Sequence, residues 1–267
     1  MMTDDYAMNS KALQETMAGC AVVLVEPKFE ENIGAAARVA MNMGIGSLKV
    51  VGNRPLEQER MLKMATHKAA HLIDKMEIHP DCASALAEFS LVIGTTARTG
   101  RQRKIARHPR SVMADIAPLL AANRLAMLFG PEDRGLENEH LKFCHYTSTI
   151  PTADFSSLNL AQAVAIHAHE LYSAMGEHLE TGLECKEQKR ASTFELEGMY
   201  EHLETMLRRI DFLKDRDGRD SYWMNSIRAG FARLGLNSRE VRIVRGFCHQ
   251  FLWYDEGKLK RDLKDEA

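Results

Sequence analysis

Three short segments of this 267-residue chain carry residue types that could hold a ligand and act on it. In the first, EPKFEENIGAAARVAMNMG, residues Asn32, Gly34 and Arg38 fall in the opening turns of a helix pattern. Gly34 and the alanines beside it permit close backbone approach. Arg38 lies four residues after Gly34, so the spacing puts both on one helix face. An arginine stays protonated at physiological pH, which makes Arg38 a poor general base. It can instead clamp a phosphate, or lower the pKa of a neighbouring hydroxyl electrostatically. In the second segment, LFGPEDRGL, Gly130 and Gly135 flank Glu132 directly after an apolar run. A Gly-rich turn at a strand end offers backbone donors and carbonyls to a ligand. In the third, IPTADFSSLNLAQAV, residues Ser156, Ser157 and Asn159 sit between a strand and a long helix, where Ser or Asn can also cap the helix for about 1 kcal/mol. A fourth stretch is basic: Arg98, Arg101, Arg103, Lys104, Arg107 and Arg110 lie close together and could neutralise phosphates in a salt-dependent manner. Arg208, Arg209, Arg239, Arg242 and Arg245 could form a second patch, part of it covering core side chains with aliphatic stems. Each of the three ligand segments also has a purely structural explanation: helix packing with a solvated arginine, a tight turn, a helix cap.

The elements that would position these residues are legible in the hydrophobic pattern. AVVLVE at 21–26, LKVVG at 48–52, SLVIG at 90–94, RLAMLFG at 124–130 and HYTSTI at 145–150 read as short buried strands. Helix patterns cover about 32–42, 56–75, 83–88 and 156–172. Strands alternating with helices predict an α/β domain with a mostly parallel sheet. Ligands bind such sheets at the carboxyl ends of the strands, where the three segments fall. Residues 1–19 are mixed in character and read as a flexible extension, 20–175 as the α/β domain and 176–193 as a linker. From 194 to 267 the chain carries three helix patterns and no further Val-rich run.

Composition narrows the possibilities. With 45% hydrophobic residues the chain can bury a large core, and its formal charge of −2 gives no bulk attraction for nucleic acid. Five cysteines, widely spaced and without a Cys-x-x-Cys pair, argue against a disulfide framework and a zinc knuckle. The opening MMTDDYAMNS has no secretory character, and no apolar run is long enough to span a bilayer. A cytoplasmic location is expected. The glycine spacing matches neither a dinucleotide-binding fingerprint nor a phosphate-binding loop. His167 and His169 do not share a helix face, and the pair His67 and His71 with Asp74 is a common pattern, so no metal is expected.

Taken in order, Asn32-Ile33-Gly34-Ala35-Ala36-Ala37-Arg38, Gly94-Thr95-Thr96-Ala97-Arg98, Phe129-Gly130-Pro131-Glu132 through Gly135-Leu136, and Ile150-Pro151 with Ser156-Ser157-Leu158-Asn159-Leu160 resemble the signature of the SPOUT superfamily, in its TrmH-like branch. The resemblance covers about 19–175, and the terminal helices resemble the small domain appended in one group of tRNA methyltransferases. Thr152-Ala153-Asp154-Phe155 departs from the Asn-Pro that many relatives carry there.

The resemblance implies a sheet closed by a C-terminal trefoil knot, a homodimer, and S-adenosyl-L-methionine as methyl donor to a ribose 2'-hydroxyl of tRNA. It implies a cofactor site made by Thr95, Thr96, Ala97, Gly130, Ile150, Ser156, Ser157 and Leu158, with Asn32, Gly34, Glu132 and Asn159 organising the pocket. Arg38 is then expected to act on the hydroxyl that Ser157 orients, and Arg98, Arg101, Arg103, Lys104 and Arg107 to contact RNA. Ribosomal RNA as substrate, and a non-catalytic RNA-binding protein on the same scaffold, are the competing expectations.

Overall fold

The computed structural model describes residues 2–97, 106–154, 157–182, 188–213 and 219–265. The apolar runs form six strands: β1 (Ala21–Val25), β2 (Ser47–Val51), β3 (Glu77–His79), β4 (Leu91–Thr95), β5 (Leu125–Phe129) and β6 (Tyr146–Ser148). They make one sheet in the order β3-β2-β1-β5-β4-β6, and every pairing among them is parallel. The central strands β1 and β5 are buried along their whole length, which is why they read as continuous apolar runs without alternation.

Helices cover both faces. On one, Val22, Leu24, Met127 and Phe129 pack against α2 (Glu30–Asn42), α3 (Gln58–Asp74), α5 (Pro109–Ile116) and α7 (Leu160–Thr181). On the other, Val23, Val25 and Leu128 meet the short helices α4 (Cys82–Leu86) and α6 (Asn138–Leu141), with Phe89 and Cys144. Alternate residues of one strand thus feed two separate cores. α2 and α3 pack at unusually close range at Gly34, where an added Cβ would lie 2.0 Å from the Met61 carbonyl oxygen.

The structure adds β3, α5 and α6, which the pattern does not announce, and places two expected segments differently. Residues Met2–Ala18 form a helix, α1, rather than a flexible extension. It packs on α7, Met17 is fully buried, and Asn9 donates to the Leu179 carbonyl at 3.4 Å. The mixed sequence hides this, although Leu13 and Met17 face the core. α7 also runs on to Thr181, inside the stretch expected as a linker, and stops at Gly182 in the left-handed region at φ 58°.

The chain divides into two compact units, Met1–Lys189 and Arg190–Ala267. The second holds α8 (Thr193–Arg209), α9 (Arg219–Leu234) and α10 (Ser238–Asp265). Its core comprises Leu196, Met199, Tyr200, Met224 and Val241. α8 starts with a capping box between Ser192 and Glu195, and the Arg228 guanidinium bonds the Glu197 carboxylate while lying 4.2 Å from the Tyr200 ring centre.

Candidate functional site

The carboxyl ends of β4, β5 and β6 open onto a cavity of about 260 Å³. This is slightly below the common range for ligand clefts, roughly 300–1,000 Å³. Its wall contains Thr95, Thr96 and Ala97 after β4, Gly130 and Glu132 after β5, and Ile150, Ser157 and Leu158 after β6. Seven of the eight expected cofactor contacts therefore share one cavity; the eighth, Ser156, lies outside the described residues. Phe129, Leu136, Leu158 and Leu160 supply apolar surface, while Thr95 and Ser157 supply hydroxyls.

Side-chain hydrogen bonds tie the three sequence motifs together. The Asn32 amide donates to Glu132 Oε1 at 2.6 Å, and the backbone N–H of Lys28 donates to Glu132 Oε2 at 3.0 Å. The Asn159 amide donates to Asn32 Oδ1 at 2.9 Å. Asn159 Oδ1 in turn accepts the N–H groups of Ala161 and Gln162, capping α7. Each amide donates one N–H and accepts through its oxygen in this relay, which fixes the orientation of both amides. Asn32 is only 8% exposed, so its bonds are costly to leave unmade. Asn159 thus caps a helix and also joins, through Asn32, the Glu132 carboxylate on the cavity wall.

The β1–α2 turn is fastened from a second side. Arg54 donates to the carbonyls of Pro27 and Lys28 at 2.9 and 3.1 Å and to Glu30 Oε1 at 2.5 Å. Arg60 adds a second cation near Glu30 at 3.6 Å. The bond from Arg54 holds the buried Glu30 carboxyl below its ordinary range. Lys28 Nζ pairs with Asp133 at 2.8 Å and lowers that carboxyl similarly. The β5 turn is tight: a Cβ on Gly130 would lie 2.2 Å from the Gly135 carbonyl carbon and 2.3 Å from the Leu136 nitrogen. Gly135 occupies the left-handed region at φ 64°.

Other expected residues stand apart. Arg38 is exposed on α2 outside the cavity wall, and no carboxylate among the described residues pairs with it. Gly34 serves the contact between α2 and α3. Arg98, Arg101, Arg103 and Lys104 lie outside the described residues. Arg107 is described: its guanidinium pairs with Asp115 and bonds the Ser111 carbonyl at 3.2 Å. That partner raises its pKa and competes with any phosphate.

Sequence reasoning missed Asp133, Arg134, Ser148 and His167, all of which line the cavity. Asp133 and Arg134 fall inside the LFGPEDRGL segment, whereas Ser148 reads as an ordinary strand residue and His167 as an ordinary helix residue. His167, set aside above as a metal ligand, is buried and bonded at both ring nitrogens. Burial lowers its pKa to about 4, so it is neutral at physiological pH. Among the described residues, no group of three His, Cys, Asp or Glu is placed to hold a metal ion, and no helix is long and apolar enough to cross a membrane.

Comparison with known proteins bears on the same residues. The sequence model of the SpoU rRNA methylase family matches residues 19–169, and that of the C-terminal domain of the tRNA methyltransferase TrmJ matches 194–262. A Yersinia pestis tRNA (cytidine/uridine-2'-O-)-methyltransferase TrmJ is 32% identical over 229 residues, covering 84% of this chain and 88% of that protein. The Citrobacter koseri protein of the same name is 32% identical over 241 residues, covering 89% and 98%. The crystal structure of TrmJ from Z. mobilis ZM4 superposes with a TM-score of 0.72 at 30% identity, covering 86% of this chain and 97% of that one. With matches along both compact units, the chain belongs to the SpoU/TrmJ family of methyltransferases.

Proposed function

We propose that the chain transfers a methyl group from S-adenosyl-L-methionine to the 2'-hydroxyl of a pyrimidine ribose in the anticodon loop of tRNA. The observation that carries this reading is the convergence of Thr95–Ala97, Gly130, Ile150, Ser157 and Leu158 on one cavity, beside the relay joining Asn32, Glu132 and Asn159. Names of relatives along nearly the whole chain supply the substrate class. The cavity fits the cofactor's chemistry: apolar side chains suit a flat base, and hydroxyls suit a ribose.

When bound, the cofactor supplies an electrophilic methyl on a sulfonium sulfur. The chain's own task is then to place a ribose oxygen in line with it and exclude water. Ser157, on the cavity wall, orients the hydroxyl. Arg38, approaching from outside the wall, lowers the hydroxyl's pKa and stabilises the charge that grows as its proton leaves. Glu132 holds the turns of β1 and β5 in mutual position. The trefoil knot and a homodimer belong to the same reading and rest on the family resemblance, whereas a cytoplasmic location rests on the cysteine usage and the character of the sequence. The basic stretch around Arg101, Arg103 and Lys104 supplies phosphate contacts that the net charge of −2 does not.

A second reading, the same chemistry on ribosomal RNA, is favoured by the description of the family matching residues 19–169. The test is transfer of labelled methyl to bulk tRNA and to ribosomal RNA from cells lacking the gene, with nucleosides resolved by mass spectrometry. Labelled 2'-O-methylcytidine or 2'-O-methyluridine from tRNA is the expected product. Label confined to ribosomal RNA establishes the second reading. Binding of both S-adenosylhomocysteine and tRNA without transfer to either RNA makes the protein a non-catalytic RNA binder.

A further inference from the structure

Beneath the cavity lies a polar pair that the proposed chemistry does not use. Ser148 is fully buried at the end of β6, and His167 is 1% exposed on α7. Both line the cavity floor. His167 Nδ1 is 2.9 Å from the Ala163 carbonyl oxygen, which can only accept, so Nδ1 carries the proton. Nε2 is then bare and accepts the Ser148 hydroxyl hydrogen at 2.9 Å. The Phe129 ring meets the imidazole edge to face at 5.5 Å and holds its plane.

Ser148 is also a backbone junction. Its carbonyl accepts the N–H of Thr96 at 2.9 Å, tying the turn after β4 to the end of β6. On either side of it, the Arg107 N–H donates to Thr147 and the Thr149 N–H donates to Arg107, at 3.1 and 2.9 Å. Three backbone segments that bound the site therefore meet at one residue: 95–97, the return of the basic stretch at Arg107, and the approach to Ile150. The imidazole anchors that residue to α7 one turn beyond Ala163, whose own N–H bonds the Asn159 carbonyl at 3.0 Å.

We propose that Ser148 and His167 are a positioning pair of the cofactor site, holding the ends of β4 and β6 in register on α7 and so setting cofactor affinity without touching the reacting atoms. The proposal rests on reading the cavity as the S-adenosylmethionine site. A buried hydrogen bond of this kind, broken on one side, leaves an unsatisfied group where water does not reach.

The test is calorimetry with S-adenosylhomocysteine and steady-state methylation of tRNA by Ser148→Ala, His167→Leu and Ser148→Thr. Either of the first two weakens cofactor binding roughly tenfold and raises cofactor KM in parallel. kcat at saturating cofactor and KM for tRNA stay within about twofold. Ser148→Thr keeps the hydroxyl and retains affinity. Unchanged cofactor KM in the first two, or a fall in kcat at constant KM, overturns the proposal. Should these variants fail to fold, nitrogen NMR of the wild-type His167 ring decides. The expected result is the Nδ1–H tautomer, perturbed when S-adenosylhomocysteine is added; the Nε2–H tautomer or unmoved resonances refute it. If the wild-type protein does not bind S-adenosylhomocysteine, the cofactor reading itself fails. Binding by the wild type with unaffected variants removes only the pair.

Discussion

Glu132→Gln is an isosteric change that separates a carboxylate's role in the relay from mere occupancy of space. Both groups facing Glu132 are donors: the Asn32 amide at 2.6 Å and the Lys28 N–H at 3.0 Å. A glutamine brings one acceptor and one donor, so it satisfies only one of them. The better compromise turns its oxygen to the nearly buried Asn32 and leaves the Lys28 N–H to solvent. The remaining cost is a lost charge-assisted bond and a donor facing a donor, about 1–2 kcal/mol. In a unit of this size that lowers the melting temperature by about 2–8 °C. Because the relay joins the turns that build the cavity, affinity for S-adenosylhomocysteine falls as well, by roughly tenfold. Glu132→Ala removes both acceptors and goes further in the same direction. Differential scanning fluorimetry and calorimetry on the three proteins measure both effects. If Glu132→Gln melts and binds like wild type, the carboxylate is a bystander and the relay does not organise the cavity.

Gly130→Ala places a methyl against the Gly135 carbonyl carbon and the Leu136 nitrogen, backbone atoms that cannot swing aside. Its expected result is at least roughly tenfold weaker S-adenosylhomocysteine binding by calorimetry. Burial lowers the His167 pKa from 6.5 to about 4, so the unfolded chain takes up that proton first as pH falls. His167 thus makes stability complete above about pH 6.5 and declining toward pH 4, with a loss of about 2 kcal/mol between pH 7 and pH 5. Urea titrations of wild type and His167→Leu at the two pH values isolate that contribution, which the variant lacks. Neutralising Arg101, Arg103 and Lys104 together weakens tRNA binding and flattens its salt dependence while sparing S-adenosylhomocysteine affinity, as read by filter binding across salt. Arg38→Ala leaves the melting temperature within about 1 °C, since Arg38 is exposed, and slows single-turnover methylation at saturating tRNA by roughly a hundredfold or more. Weaker tRNA binding with an unchanged single-turnover rate assigns Arg38 to phosphate clamping instead.

The sheet was legible where burial on both faces left continuous apolar runs, as at AVVLV and LAMLF. β3 was not, because Glu77, Ile78 and His79 form a short edge strand with little burial to pattern it. α1 was missed for a related reason: its polar and apolar residues are mixed without a clear period, although Leu13 and Met17 face the core. Within the site, Asn32, Glu132 and Asn159 each stood out individually, yet the relay spans separations of 100 and 127 residues that no local spacing reveals. Ser148 and His167 stayed hidden because each alone has an ordinary explanation, a strand serine and a helix histidine. Only the packing of α7 on β6 makes them partners.

The strand order has a bearing on how the molecule assembles. β5 lies between β1 and β4, and β4 lies between β5 and β6. A nascent chain extended only as far as β4 cannot yet seat that strand, because both of its lateral neighbours are still to be synthesised. Until residues 125–129 insert, β1 and β4 each expose an apolar edge, the condition under which intermediates stick to one another. Non-local parallel pairing of this kind also slows folding relative to a helical bundle such as the second unit. Recovery of soluble protein is therefore governed by the interval before β5 arrives, and conditions that lengthen the life of crowded, half-built sheets work against it.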